Sequence, residues 1–225
     1  MQIVLGNKTY SSWSLRGWLA VKASGLAFEE IVLRLRTDDF RDRIGALSPT
    51  GLVPCLIDGE TSVWDSLAII DYLDRKAPQA HFWPNEISAY GMARSVAAEM
   101  HSGYQALRQA CPYNLAMDVP GFKPNEATRA DVARISELWL ACRARFGESG
   151  PYLFGAWSAA DMMFAPVVGR FQTYGLSEDP TVLAYMEAVH AHPHMLEWIE
   201  AARSEAPAPE YGDLPQGVLR DGFRG

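Results

Sequence analysis

The stretch that decides the fold is residues 47–66, LSPTGLVPCLIDGETSVWDS. Val53-Pro54 places a proline at a strand entrance, the usual setting of a cis peptide bond. Cys55-Leu56-Ile57 and Thr61-Ser62-Val63 are short strand-like runs, and Asp58-Gly59 between them is a hairpin turn signal. Asp65 stands where a helix N-cap belongs, ahead of the apolar Leu67, Ile69, Ile70 and Leu73. Trp64 and Ile69 occupy the positions of a hydrophobic staple.

Toward the N-terminus, Gln2 to Leu5 reads as a first strand. Leu15, Trp18, Leu19 and Lys22 recur at i, i+3, i+4 and i+7, giving a helix capped by Ser11 or Ser12 and stopped by Gly25. Ile31, Leu33 and Leu35 alternate as in a strand, Asp38-Asp39 reads as a solvated loop, and Phe40 to Leu47 as a short helix or irregular turn. The order β-α-β-α-β-β-α predicts a parallel first pair, joined by a helical crossover, and an antiparallel last pair. This is the thioredoxin-like plan, over residues 1–77.

Pro78 to Pro84 marks a linker, residues 78–85. From Ile87 on the pattern is helical. One long helix is predicted through Ile87, Tyr90, Ala97, Met100, Tyr104, Leu107 and Cys111, broken by Pro112. Met117 to Pro124 reads as a Pro/Gly loop. Val132, Ile135, Trp139, Cys142 and Phe146 form a second apolar stripe. Ser158 and Asp161 have the spacing of a capping box, and Asp179-Pro180 and His192-Pro193 open two further helices. The fold class is α/β plus all-α: a thioredoxin-like domain, an all-helical domain over 86–205, and an extended Pro/Gly-rich tail over 206–225.

Of the 225 residues, 48% are hydrophobic and 21% charged, an ordinary globular composition. The net charge of −7, without basic clusters, argues against nucleic-acid or anionic-membrane partners. No apolar run has the length of a membrane span, and no signal peptide is evident. Three scattered cysteines without a CxxC point to a reducing, cytoplasmic setting. His190, His192 and His194 straddle a helix break and are read as capping or solvated groups, so no metal is expected.

The order of residues around Val53-Pro54 and Asp65-Ser66, with the distant S-x-x-D box, resembles the glutathione S-transferase family. Tyr10-Ser11-Ser12-Trp13-Ser14-Leu15-Arg16 is similar to the S-S-x-x-x-R segment of its zeta class and of related bacterial serine-type members. The resemblance implies that glutathione, a co-substrate, pairs its cysteinyl backbone with Val53 beside Pro54. Its γ-glutamyl end would then meet Asp65 and Ser66. Ser11, or next Ser12, would stabilise the thiolate of a thiol whose ordinary pKa is ~8.5. Trp13, Tyr104, Cys111 and Tyr113 would wall the pocket of a small hydrophobic electrophile. Leu52 stands where many relatives carry Lys or Gln for the glycyl carboxylate, and Trp13 where the zeta segment has cysteine. The implied activity is glutathione conjugation by a homodimer. The alternatives are a glutathione-dependent isomerase or dehalogenase, or a non-catalytic interaction module.

Overall fold

The computed structural model describes residues 1–215 and 217–223. The first domain runs β1 (Gln2–Gly6), α1 (Ser12–Ser24), β2 (Glu29–Leu33), α2 (Asp38–Leu47), β3 (Cys55–Asp58), β4 (Thr61–Val63) and α3 (Ser66–Lys76). The sheet order is β2-β1-β3-β4; β1 and β2 are parallel, and the β1–β3 and β3–β4 pairs are antiparallel. Successive residues of β1 face opposite sides. Ile3 and Leu5 join Leu15, Trp18, Ile69 and Leu73 in the large core, while Val4 packs with Leu33, Ile44 and Cys55 beneath α2.

A 3-10 turn at Pro78–Ala80 leads into α4 (Ile87–Ser102), α5 (Gln105–Ala110), β5 (Met117–Asp118), α6 (Glu126–Phe146), α7 (Ala159–Tyr174), α8 (Pro180–Ala191), α9 (Pro193–Arg203) and β6 (Val218–Leu219). Helix α7 is the axis of this half. Nearly all of its residues are buried, and it packs against α1 and α4. Asp179 and His192 cap α8 and α9 with proline at the first position, as the sequence predicts.

Three local expectations are corrected. The helix predicted from Ile87 to Cys111 breaks at Gly103-Tyr104, where Tyr104 adopts a left-handed φ of 62°. A Cβ on Gly103 would lie 2.7 Å from the Glu99 carbonyl oxygen, so the sharp exit requires glycine. Asp38 and Asp39 form the first turn of α2 rather than a loop, capped by Thr37 and paired with Arg41 and Arg43. The second half also contains a two-stranded ribbon, β5 against β6, which local periodicity over two-residue strands does not reveal.

Candidate active site

Three segments of the first domain surround a cleft of about 420 Å³: Trp13 from α1, Thr50 to Pro54 from the loop before β3, and Trp64-Asp65 before α3. The Val53–Pro54 peptide is cis. Neither the N–H nor the C=O of Val53 makes a hydrogen bond among the described residues. Helix α1 approaches this bend closely because residue 17 is glycine; a Cβ there would lie 2.9 Å from the Pro54 ring. Leu52 is 66% exposed on the rim.

Across the cleft, Asp65 caps α3 by accepting the Leu67 N–H at 3.1 Å, and its other oxygen meets Nε2 of His101 from the end of α4. Ser66, the first residue of α3, is fully buried, and its Oγ has no partner. An unpaired hydroxyl at a helix N-terminus, beside a carboxylate and the free backbone edge of Val53, suits a zwitterionic amino-acid end. The carboxylate of such a ligand would take the helix N–H groups and hydroxyl, and its ammonium would take Asp65.

The serines occupy the start of α1. Ser11 is the N-cap: its Oγ accepts the Ser14 N–H at 3.3 Å and donates to Ser14 Oγ at 2.8 Å. Ser14 Oγ also accepts the Gly6 N–H at 2.9 Å. Ser12 Oγ accepts from Arg170 Nη2 at 3.3 Å. Tyr10 turns away, stacking on Tyr211 of the tail with ring centroids 3.9 Å apart.

Residues 10–76 match the family model for the glutathione S-transferase N-terminal domain, and residues 125–201 match the C-terminal domain model of that family. The chain belongs to the glutathione S-transferase family. Among relatives, glutathione S-transferase Z1 of Arabidopsis thaliana is 25% identical over 215 residues, covering 89% of this chain and 95% of its own. Maleylacetoacetate isomerase of Rattus norvegicus is 29% identical over 178 residues, 76% of this chain and 79% of that one. Among solved structures, a Methylobacterium extorquens maleylacetoacetate isomerase with bound malonate and glutathione is 26% identical, with a TM-score of 0.66, over 92% of this chain and all of that chain.

In this glutathione S-transferase fold, Arg16 of the S-S-x-x-x-R segment gathers with Arg108 and Arg170, which sequence reading missed, where the two domains meet. Arg16 is fully buried. Its Nε donates to the Met163 carbonyl at 2.9 Å, and both terminal nitrogens lack partners. The Arg16 and Arg108 guanidiniums lie 4.6 and 5.0 Å from the Trp13 ring, and His101 meets that ring edge-on. Arg170 donates to the Cys111 carbonyl and lies 5.6 Å from the Tyr113 ring. Burial pushes the Arg16 pKa well down and that of Arg170 down to about 10, and their mutual repulsion with Arg108 adds to both shifts. A lone cation in a helix that is otherwise apolar for several turns, as Arg170 is in α7, is the signal that sequence reading passed over.

Of the four residues predicted to wall the electrophile pocket, Trp13 lines the cleft. Tyr113 is buried and does not line the cleft. Tyr104 and Cys111 are buried and do not line the cleft; the Tyr104 hydroxyl donates to Glu99 at 2.7 Å. Outside the cleft lining, the buried Asp161 carboxylate accepts from the Ser158 N–H and hydroxyl, the Leu153 N–H and the Tyr185 hydroxyl, at 2.8–3.2 Å. Burial outweighs these donors and pushes its pKa up to about 6. Among the described residues, no cluster of three His, Cys, Asp or Glu is arranged to hold a metal ion, and no helix is long and apolar enough to cross a membrane.

Proposed function

We propose that the protein is a glutathione transferase in which the tripeptide lies along Val53, with its γ-glutamyl end at Asp65 and Ser66 and its sulfur at the start of α1. The observation that carries this reading is an unbonded Val53 backbone and the Asp65 carboxylate lining one cleft, with the orphaned Ser66 hydroxyl buried next to Asp65 at the start of α3. At the sulfur, the hydroxyl pair reverses direction: Ser14 donates to Ser11, and the freed Ser11 proton donates to the thiolate. The positive end of α1 assists. Each unit by which the thiol pKa falls requires ~1.4 kcal/mol of thiolate stabilisation, within the range of one hydroxyl donor and a helix N-terminus. Retention on immobilised glutathione, with conjugation of a generic aryl halide, tests the reading; loss of both in folded protein refutes it.

A second reading concerns the electrophile. Three partly or fully desolvated arginines beside Trp13 and Tyr113 favour a substrate bearing carboxylates over a purely hydrophobic one. That is the setting of a glutathione-dependent isomerase, and the Methylobacterium extorquens relative, an isomerase solved with bound malonate and glutathione, is consistent with it. Regeneration of free glutathione, rather than a stable conjugate, on turnover of an unsaturated dicarboxylate separates isomerase from transferase. We place the protein in the cytoplasm, where its three free cysteines stay reduced, and expect a homodimer. A mass near 25 kDa by light scattering, rather than about twice the 24.9 kDa chain, overturns the dimer.

A further inference from the structure

The loop joining β1 to α1, which delivers the active-site serines, is held from the far end of the chain. The Glu205 carboxylate accepts the Lys8 N–H at 2.5 Å, the Thr9 N–H at 3.0 Å and the Thr9 hydroxyl at 2.8 Å. The Lys8 carbonyl accepts from Trp198 Nε1 at 3.1 Å, and the Thr9 carbonyl accepts the Leu115 N–H at 3.0 Å. All four backbone polar groups of Lys8 and Thr9 are therefore paired with the second half of the molecule. The Lys8 ammonium, paired with Glu30, sits between the Trp18 and Trp198 rings at 5.3 and 5.2 Å. The next residue, Tyr10, stacks within 6° of parallel on Tyr211, and Arg34 is ion-paired with Glu210.

We infer that Glu205 is a positioning residue for thiol activation: it fixes the loop that sets where the Ser11 hydroxyl meets the glutathione sulfur. This rests on the transferase reading above. The connection is short. The Ser11 N–H and Tyr10 N–H both donate to the Asn7 carbonyl, so any shift of Lys8-Thr9 moves the N-cap of α1. The glutathione backbone contacts lie elsewhere, at Val53 and α3, and do not pass through Glu205. Misplacement of a donor by about 1 Å costs turnover far more than it costs ground-state binding.

The test is Glu205→Gln, which keeps size but turns one accepting oxygen into an NH2 facing two donors. The expected result is a KM for glutathione within about twofold of wild type, kcat reduced by about tenfold, and the thiol limb of the kcat pH profile moved up by about one unit. Amide exchange at Lys8 and Thr9 should quicken. Tyr211→Ala, on the tail surface, should shift the limb in the same direction by less, and it serves if Glu205→Gln does not fold. A pH limb that stays in place in the folded variants overturns the inference, whether or not exchange quickens; so does a raised KM with unchanged kcat. If wild-type protein conjugates normally, such a result removes the role of Glu205 alone. If wild-type protein neither binds glutathione nor conjugates, the transferase reading fails and takes this inference with it.

Discussion

Ser11 Oγ and Ser14 Oγ lie 2.8 Å apart, with the Ser11 proton directed at Ser14 and the Ser14 oxygen also holding the Gly6 N–H. Each hydroxyl has one proton and two lone pairs, so the pair can reverse without moving a heavy atom. Ser11→Ala is expected to raise the pKa of bound glutathione by about one to two units and to cost ~1 kcal/mol of stability as a lost cap. Ser14→Ala should raise the thiol pKa by less, and Ser12→Ala, whose oxygen serves Arg170, should leave it in place. Ultraviolet titration of the bound thiolate measures all three. A shift in Ser12→Ala alone would transfer the role to Ser12.

Ser66→Ala separates binding from folding. The Ser66 hydroxyl is buried and unpaired in the free protein, so its removal should leave the denaturation midpoint unchanged or slightly higher. Glutathione affinity should fall by about tenfold, the worth of one hydrogen bond to a carboxylate at ~1.4 kcal/mol. Calorimetry with paired urea melts checks both halves.

Gly17→Ala sets helix propensity against packing. Alanine in mid-helix is worth ~1 kcal/mol over glycine. Here the added methyl would meet the Pro54 ring at 2.9 Å on one side and approach Ile69 on the other. Overpacking typically costs about 1–3 kcal/mol, so net destabilisation and a weakened glutathione site are expected. A stabilised Gly17→Ala would show that α1 does not press on Pro54 in solution.

Acid stability is decided by opposing buried groups. Burial pushes the His190 and His192 pKa values down to about 4 and lowers that of His194, so the folded state resists their protonation. Their contribution is present above the unfolded value of ~6.5 and is lost as pH falls toward 4. Asp161, raised to about 6 by burial, works the other way: its contribution is present at low pH and is lost as pH rises through 6. His190 and Asp161 largely offset one another. The partly exposed His192 and His194 tip the balance toward a modest acid loss, less than ~1.4 kcal/mol per pH unit. Urea midpoints at pH 7, 5.5 and 4.5 should fall in that order. Asp161→Asn should steepen the fall and cost ~2–4 kcal/mol at pH 7, since its amide faces donors that the carboxylate accepted.

By itself the sequence determined most of the elements and several of their caps, though not the break at Gly103-Tyr104, the start of α2 or the β5–β6 ribbon. The apolar run of β1, the alternation in β2, the Asp58-Gly59 turn, the Asp65 and Ser158 caps and the two X-Pro helix starts are local signals, carried by residues a few positions apart. The candidate cleft was legible for the same reason, because Val53, Pro54 and Asp65, which line it, lie within thirteen residues of one another. Tertiary structure decided the rest. Arg16 of α1, Arg108 of α5 and Arg170 of α7 come within electrostatic reach of one another only once the two halves of the chain pack together, and Glu205 reaches Lys8 across 197 positions. Buried charge and long-range hydrogen bonds have no period in the sequence; they exist only once burial removes the water that would otherwise satisfy them.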